Sequence, residues 1–544
     1  MERSYSKDQI MQAYLNIAHI GGSHGNFKGV GAAAKLYFNK EVSELDLAEC
    51  ATIASTIRNP TYYDPTKNPE NNKARRDKTL KNMLNLGFIS REEFEEAVNK
   101  PVIAVNRNKR KNKTHDFDDI NITNHQSYFV DSVLNQVVND YMKLKKISDW
   151  DRANDEVKNS GFKIYSTIDS RVQQELEKIF SNPSNFGCKS FEKKPNAACV
   201  IYDFNGNMKA CVGNLGKKRA GDRADLNFAT SIINPGSCNK PFIYSLAIKN
   251  DLLTYSSVVE DSPVRQIDSR DWPKNYDNKY HGDVTVQYAL ENSLNTVPVK
   301  IVRKLGVESV CNFLINGLKF STIYPPSKPF ERRTFETEAL AIGSMTKGIK
   351  LNELTNAFQI FGNGGYLTPS TTYEKVCNSS GELIIEPKRE PVKVIDSETS
   401  AVLNRLLRRV VTHGTGKLAN LDSLGIEVVG KTGTSDDEKS LSFVGLIPPT
   451  NEKAQDGRIV GIWVGGKGLM KPAALFKMVC SKIFKSKTNA HSSGKRNFEY
   501  LNRFVEECNF CKHSGQLAGI NCPTQDLEIG YYKKRKLPNR CTLH

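Results

Sequence analysis

The sequence has 544 residues, of which 38% are hydrophobic and 25% charged, so it is long enough for several globular domains and is not a disordered chain. Its 77 Lys and Arg residues exceed its 60 Asp and Glu residues, and the resulting charge of +17 favours an anionic partner: nucleic acid, a phospholipid surface, or a phosphorylated or carboxylated substrate. No apolar run approaches the roughly 18 residues of a membrane span, and the polar first residues predict no signal peptide.

The first part of the chain carries helical signals only. Apolar residues recur with helical spacing in the stripe at residues 10–15, after Ser6. Residues 43–46 are typical of an N-cap with an acidic first turn, and they open a second apolar stripe at residues 45–57.

Two further helices complete this region. One is predicted over residues 69–86 and ends at Gly87, and the next follows a capping box formed by Ser90 and Glu93. No strand alternation is present, so we predict an all-α unit over residues 1–100.

Residues 101–160 are predicted to be a linker region. The basic run at residues 107–113 has no apolar side chains to bury and is interpreted as a solvated loop, with contact to an anionic surface as the alternative. A helical segment begins at Tyr128.

Residues 161–485 mix strand and helix signals. An alternating segment at residues 161–169 predicts a strand, and two more flank Asn205-Gly206-Asn207, which is typical of a hairpin turn. Further strands are predicted at residues 426–429, 442–446 and 459–464. Strands at both ends with helices between them predict an α+β domain, which a basic extension over residues 486–544 follows.

Three short motifs in this domain bring together groups suited to nucleophilic catalysis. They are Ser237-x-x-Lys240, Ser293-x-Asn295 and Lys431-Thr-Gly-Thr434. The first alone is weak, because Ser-x-x-Lys also occurs at Ser160, Ser190, Ser344 and Ser492. The context is more specific: Ser237 follows a Pro-Gly turn and precedes an apolar helix, so Lys240 lies one turn later on the same face.

These residue types have complementary chemistry. A serine hydroxyl needs a nearby base to accept its proton. A lysine becomes that base when desolvation and a second cation, here Lys431, favour its neutral form. The helix N-terminus at Ser237 presents free N–H groups that suit an oxyanion hole.

The segments beginning at Asn234, Ala339, Asn363, Gly414 and Gly430 resemble landmarks of the class A penicillin-binding proteins, which are bifunctional peptidoglycan synthases. The resemblance implies an antiparallel sheet with helices and a catalytic set consisting of Ser237, Lys240, Ser293, Asn295 and Lys431. Ser237 is then the acylated nucleophile, Lys240 its proton acceptor, and Ser293 and Asn295 relay protons and hold the substrate. The substrate carboxylate is then bound by Lys431 with Thr432, Gly433 and Thr434. The oxyanion hole consists of the N–H groups of Ser237 and Thr434.

One position departs from the family pattern. Ser442 stands where members usually carry the Trp of a Trp-Phe-x-Gly segment. We expect this substitution to loosen the packing beside the site.

The helical unit resembles the C-terminal part of a family 51 glycosyltransferase, from the segment at residues 6–16 to about residue 97. The family's principal catalytic glutamate and its membrane anchor belong to segments upstream of this match, and its second glutamate corresponds to Gln12. An amide cannot act as a general base, so we expect no glycosyl transfer by this chain alone. A partner chain that supplies the remaining half and an anchor is one expectation.

The C-terminal extension holds Cys508, Cys511, Cys522, Cys541 and His544. Three interpretations stay open: disulfides, which an extracytoplasmic chain with an even number of tail cysteines favours, free thiols, and a zinc site, for which the spacing matches no strong template.

The resemblance implies a D,D-transpeptidase that cross-links peptidoglycan stem peptides. The alternatives are a D,D-carboxypeptidase or β-lactamase that gives the acyl group to water, and a non-enzymatic penicillin-binding scaffold. It further implies no cofactor, the lipid-linked precursor and β-lactam antibiotics as ligands, and a location in the cell envelope on the periplasmic side. Nucleic-acid binding, which the charge alone permits, has no supporting motif, so we expect no nucleic-acid partner.

Overall fold

In a computed structural model of the chain, the residues described are 6–20, 28–102, 127–191, 196–216, 218, 227–330, 334–435, 440–452, 454–466, 468–485 and 496–544. The predicted basic loop at residues 107–113 lies outside them. The chain divides into two compact units. One comprises Met1–Gln126, Val137–Ile164 and Lys375–Ile385, and the other comprises Ser127–Gln136, Tyr165–Glu374 and Glu386–His544.

The α-helices are as follows: α1 (Lys7–Ile17), α2 (Val30–Phe38), α3 (Leu47–Thr56), α4 (Pro69–Asn85), α5 (Arg91–Asn99), α6 (Tyr128–Lys145), α7 (Trp150–Asn159), α8 (Ser170–Ser181), α9 (Lys240–Lys249), α10 (Val286–Glu291), α11 (Thr296–Leu305), α12 (Val307–Asn312), α13 (Leu351–Ala357), α14 (Ser397–Thr412) and α15 (Pro472–Lys485). Among the described residues, no helix combines the length and the apolar character that crossing a bilayer requires.

The strands are as follows: β1 (Lys163–Ser166), β2 (Asn196–Tyr202), β3 (Met208–Val212), β4 (Ile232–Ile233), β5 (Val258–Asp261), β6 (Arg265–Ile267), β7 (Arg270–Trp272), β8 (Gly282–Thr285), β9 (Ile349–Lys350), β10 (Tyr366–Leu367), β11 (Tyr373–Cys377), β12 (Leu383–Ile385), β13 (Val392–Lys393), β14 (Val429–Thr434), β15 (Ser440–Ile447), β16 (Arg458–Gly465), β17 (Val505–Cys511) and β18 (Leu527–Lys533).

The first unit contains the predicted helices, and its caps explain where they begin. Ser90 and Glu93 form the expected capping box at α5, and Gly87, in a left-handed conformation, follows α4. The cap of α3 is Asp46, whose carboxylate accepts from the N–H of Glu49, so the prediction that the cap begins at Ser43 was wrong. Ser43, three residues earlier, instead lies inside a short 3₁₀ turn, Val42–Glu44, which ends before Asp46.

Burial in this unit differs between the two predicted stripes. Most of the stripe at residues 45–57 is buried in small cores around Ile53 and Leu80. No residue of α1 is buried, and Met11, Tyr14 and Ile17 are exposed. Only the first stripe therefore stays accessible to solvent.

A five-stranded antiparallel sheet organises the second unit, in the order β14-β15-β16-β2-β3. Helices pack on both of its faces, as two close approaches show. A Cβ on Gly461 would lie 1.9 Å from Thr355 of α13, and a Cβ on Gly445 would lie 2.6 Å from Phe476 of α15. Gly461 pairs with Val444, the neighbour of Gly445, so these two contacts lie on opposite faces.

The predicted α+β class with an antiparallel sheet is confirmed. The hairpin predicted around Asn205-Gly206-Asn207 joins β2 to β3. The strand predicted at residues 426–429 begins only at Val429 and continues to Thr434. The Lys-Thr-Gly-Thr motif consequently lies on an edge strand rather than after one.

Candidate active site

The Ser-x-x-Lys motif lies where a tight turn enters a buried helix. Gly236–Asn239 forms a single 3₁₀ turn, and α9 follows it directly. The N–H of Lys240 donates to the carbonyl of Ser237, and side chains three residues apart are aligned in a 3₁₀ turn. Ser237 is half-buried, whereas Lys240 is fully buried. The sequence prediction of a serine and a lysine on one face is met.

Two glycines let this turn pack against β14. Gly236 has a φ of +50°, and a Cβ there would lie 2.7 Å from the backbone nitrogen of Thr434. A Cβ on Gly433 would lie 2.2 Å from the carbonyl oxygen of Pro235. Neither distance leaves room for a side chain, so the turn that carries Ser237 is held directly against the Lys-Thr-Gly-Thr strand.

Two buried lysines converge on one serine hydroxyl. Lys240 Nζ donates to the carbonyl oxygen of Ser293 at 2.6 Å and to Asn295 Oδ1 at 2.6 Å, and it lies 3.3 Å from Ser293 Oγ. Lys431 Nζ donates to the same Ser293 Oγ at 2.8 Å and to the carbonyl oxygen of Thr432 at 3.0 Å. The three motifs therefore meet at Ser293.

Ser293 has a backbone conformation that usually requires glycine. At the end of α10, the N–H of Ser293 donates to the Leu290 carbonyl and the N–H of Leu294 donates to the Ala289 carbonyl, which is the Schellman pattern. In this pattern the residue that follows the C-cap has a left-handed conformation, and Ser293 accordingly has a φ of +58°. A left-handed serine costs roughly 1–2 kcal/mol relative to an ordinary conformation. Strain of this kind is typical of functional positions.

A buried carboxylate fixes Asn295. Asp261 accepts from Asn275 Nδ2 at 2.9 Å and from the ring and backbone of His281 at 2.7 and 2.9 Å, and it also accepts from the Thr296 hydroxyl. Asn275 Oδ1 in turn accepts from the N–H of Asn295 at 2.8 Å. This network orients the amide whose oxygen contacts Lys240.

Burial and hydrogen bonds together set the charge states at the site. Burial lowers the pKa of Lys431 to about 8, because an ammonium group loses hydration in a dry environment. Burial alone would raise the pKa of Asp261, but hydrogen bonds from Thr296, Asn275 and His281 outweigh it and hold the pKa below the usual carboxyl value.

The packing around Ser442 is not loose, contrary to expectation. Ser442 is buried, its hydroxyl donates to the carbonyl oxygen of Pro235 at 3.2 Å, and it lies 3.3 Å from Cys238 Sγ. Cys238 Sγ donates to the carbonyl oxygen of Lys431 at 3.2 Å. Ser442 and Cys238 thus form a hydrogen-bonded layer beneath the turn Gly236–Asn239, which we call the nucleophile turn. Their contacts fill the space there closely.

The remaining motif residues lie along β14. Thr432 is half-buried, Gly433 is buried and Thr434 is exposed, and Thr432 Oγ1 lies 2.7 Å from Thr415 Oγ1. Thr415 supports the site but lies outside the three motifs. The sequence could have identified it, because it belongs to the family-like segment that begins at Gly414.

Of the three interpretations of the tail cysteines, disulfides have no support in the structure, because none of the chain's twelve cysteines, all of them described, is paired with another. Cys511, Cys522, Cys541 and His544 lie together, with ligand atoms within 4.8 Å of one another. Cys508 is not part of this cluster, because residues three apart on β17 point to opposite faces of the strand.

Two family models match the chain. A transglycosylase model matches residues 1–84, and a penicillin binding protein transpeptidase domain model matches residues 197–454. The second range contains all three motifs that meet at Ser293.

Curated relatives match over most of the chain. Penicillin-binding protein 1A of Clostridium perfringens strain 13 is 30% identical over 496 residues, which are 86% of this chain and 68% of that protein. Penicillin-binding protein 1A of Clostridium botulinum strain Hall is 31% identical over 510 residues, which are 89% of this chain but only 57% of that protein. The chain thus spans little more than half the length of the latter.

Solved structures show the same fold. Penicillin-binding protein 1A from Haemophilus influenzae superposes with a TM-score of 0.64 at 20% identity, and the match covers 99% of this chain and 93% of that one. The PonA1 protein from Mycobacterium tuberculosis, solved in complex with penicillin V, gives a TM-score of 0.53 at 16% identity over 67% of this chain and 94% of its own.

Proposed function

Since the chain belongs to the class A penicillin-binding proteins, we propose that it is a D,D-transpeptidase that cross-links peptidoglycan stem peptides through an acyl-enzyme at Ser237. One observation carries the proposal: Ser293 Oγ lies 3.3 Å from Lys240 Nζ and 2.8 Å from Lys431 Nζ, so one hydroxyl connects both lysines.

In the first half-reaction Lys240 accepts the proton of the Ser237 hydroxyl as Oγ attacks the carbonyl carbon of the penultimate D-alanine. The peptide bond to the terminal D-alanine then breaks, and the proton that Lys240 took up passes through the Ser293 hydroxyl to the leaving amine. The product is an ester of Ser237, and the free N–H groups of Ser237 and Thr434 stabilise the oxyanion that precedes it.

In the second half-reaction an amine of another stem peptide attacks this ester. Its proton passes to Lys240 and then to Ser237 Oγ, so the enzyme returns to its starting state. Lys431, Thr432 and Thr434 hold the carboxylate of the donor, and the same groups suit the carboxylate of a β-lactam. Gly433 contributes by letting the strand approach the nucleophile turn.

The nucleophile is tested by labelling with penicillin and mapping the adduct by mass spectrometry. We expect one adduct, at Ser237, which Ser237→Ala abolishes. The matched controls Ser190→Ala and Ser344→Ala, which alter other Ser-x-x-Lys sequences, keep it. Lys240→Ala should slow acylation by roughly two to four orders of magnitude, the usual contribution of a positioned base. Label on Ser190 or Ser344 contradicts the assignment.

The acceptor is tested with a peptide ending in D-Ala-D-Ala and an added amine. We expect the acyl group to appear mainly on the amine, and the penicillin adduct to be long-lived. Rapid loss of the adduct, with only hydrolysed peptide formed, contradicts transpeptidation.

For the transglycosylase region we propose that the chain does not polymerise glycan. Gln12, exposed on α1, stands where the family pattern has a carboxylate, and an amide cannot accept the proton. With lipid-linked disaccharide we expect no polymer from this chain. Polymer that disappears on addition of a glycosyltransferase inhibitor contradicts this.

We place the reaction in the cell envelope, on the periplasmic side, because its substrate is peptidoglycan. A penicillin that cannot enter the cytoplasm should therefore label the protein in intact cells. Labelling only after lysis contradicts this location.

A further inference from the structure

The C-terminal cluster of Cys511, Cys522, Cys541 and His544 has no role in the acylation chemistry. Each residue offers one ligand atom, and all four atoms lie within 4.8 Å of one another. Cys511 and Cys541 are buried, Cys522 is half-buried, and His544 is exposed. The cluster therefore has a dry interior and one accessible ligand.

Backbone pairing brings these distant residues together. Cys511 ends β17, and its N–H donates to the carbonyl of Gln516 at 2.9 Å, which closes a turn. Leu517 then bridges Phe510 on one side and Arg540 on the other, and the N–H of Cys541 donates to the Leu517 carbonyl at 2.7 Å. The segment at Leu517 thus holds Cys511 and Cys541 side by side.

The close approach of the segment at Gly519 to the segment at Cys541 depends on glycine. A Cβ on Gly519 would lie 2.6 Å from the carbonyl oxygen of Cys541, so no other residue fits between the segments. The N–H of Gly519 points to Cys522 Sγ at 3.3 Å, and the N–H of Leu543 points to Cys541 Sγ at 3.4 Å. Amide groups that donate to cysteine sulfur stabilise thiolates, as the outer hydrogen bonds of a metal site do.

The composition of the cluster favours zinc over a disulfide. Three thiols with one imidazole are a known structural zinc set, whereas a disulfide among three cysteines leaves one thiol over. A tetrahedral zinc with bonds of about 2.3 Å to sulfur needs sulfur atoms about 3.8 Å apart. The 4.8 Å limit on the cluster requires only a small closing movement, which the exposed His544 can make.

From this geometry we infer that Cys511, Cys522, Cys541 and His544 bind one zinc ion. Four protein ligands complete a tetrahedron and leave no open position, so the site is structural rather than catalytic. The ion joins the end of β17 to the last residues of the sequence.

The C-terminal lobe, which comprises β17, β18 and the last residues of the sequence, is closed by the ion and packs on the transpeptidase domain. The Ser256 hydroxyl donates to the carbonyl of Gly515 at 2.5 Å and lies 2.8 Å from Tyr532 Oη. Arg409 of α14 contacts Glu528 at 3.2 Å and Glu291 at 3.0 Å. Loss of the ion should therefore loosen this packing and lower the unfolding temperature.

The test measures zinc in the reduced 544-residue chain by inductively coupled plasma mass spectrometry, after reconstitution with zinc sulfate and desalting. We expect about one zinc per chain in the unaltered protein, near none in Cys522→Ser, and a clear loss in His544→Gln. The matched control is Cys508→Ser, a cysteine of the same hairpin outside the cluster. It should retain the metal.

Two further measurements test the zinc site without relying on a single variant. Cobalt(II) in place of zinc should give the thiolate charge-transfer bands and intense d–d bands of a tetrahedral site, and these should be absent in Cys522→Ser. A chelator should lower the unfolding temperature of the unaltered protein but not that of Cys522→Ser. Equal zinc in all variants, no zinc in the reconstituted protein, or a disulfide between two of the three cysteines in protein from cells overturns the inference.

Discussion

At Ser293 the backbone and the hydroxyl make opposing demands. The Schellman turn at the end of α10 favours glycine, but only a hydroxyl can accept from Lys431 at 2.8 Å. The serine therefore keeps its chemistry at a cost in stability, a compromise that proteins make at functional positions.

Two substitutions separate these contributions. Ser293→Ala and Ser293→Gly both lose the hydroxyl and should slow penicillin acylation equally. Glycine also relieves the left-handed strain, so Ser293→Gly should be more stable than Ser293→Ala by about 1 kcal/mol in denaturant unfolding. Equal stability of the two variants contradicts the strain, and unequal acylation contradicts the role of the hydroxyl.

Lys431 should give acylation a distinctive pH dependence. Its lowered pKa of about 8 means that it carries its charge below that pH and loses it as the pH rises through about 8. An ordinary lysine keeps its charge up to about pH 10.4. The second-order rate constant for a penicillin with a free carboxylate should therefore fall above about pH 8. A penicillin methyl ester is the control and should not follow this fall, and a decline that begins only near pH 10 contradicts the prediction.

The sequence predicted the centre of the site better than its surroundings. Ser237, Lys240 and Lys431 sit in short motifs, and the spacing within each motif sets the local geometry. Asp261 and Asn275 have no such motif, because their role depends on contacts that only folding creates. The opposing demands at Ser293 likewise appear only once its φ angle is known.

At the scale of elements, the contact between the nucleophile turn and β14 depends on Gly433. Gly433→Ala places a Cβ 2.2 Å from the Pro235 carbonyl and must push the strand away from the turn. We expect a loss of about 1–3 kcal/mol in stability and much slower penicillin labelling. Gly31→Ala is the control, since a Cβ there meets nothing closer than 3.9 Å and should leave labelling unchanged. Normal labelling in Gly433→Ala contradicts this account.

Helix signals in the sequence were exact at α5 but not at α3, whose cap is Asp46 rather than Ser43. The capping box of α5 was predicted to the residue, because Ser90 and Glu93 act within one turn. The start of β14 was placed three residues early, since before Val429 only Ile426 pairs, in isolated bridges with Leu421 and Arg496. Local chemistry fixes a cap, whereas a strand boundary depends on its neighbour.

At the scale of the molecule, the fold class followed from the order of strands and helices, but the order within the sheet did not. Strand β16 pairs with β2, which lies more than 200 residues earlier, and no local signal encodes that pairing. Long-range pairing of this kind is decided by the packing of the helices on both faces.

The exposed face of α1 predicts how the whole chain behaves in solution. Met11, Tyr14 and Ile17 are 56%, 48% and 55% exposed, and apolar patches of this kind promote association. The double variant Met11→Gln/Ile17→Gln should bind less hydrophobic dye and self-associate less in sedimentation. Leu383→Gln, at an exposed leucine on β12, should change neither, and unchanged dye binding in the double variant contradicts the prediction.

The layer beneath the nucleophile turn also limits how this sequence can evolve. The Ser442 side chain lies 3.3 Å from Cys238 Sγ and 3.2 Å from the Pro235 carbonyl, so a tryptophan at 442 has no space in the present background. A change toward the common family pattern needs earlier substitutions that open this layer, and each of those steps leaves a gap behind Ser237. Positions 238 and 442 are therefore expected to change together across descendants of this lineage, with a serine at 442 persisting wherever the cysteine is kept.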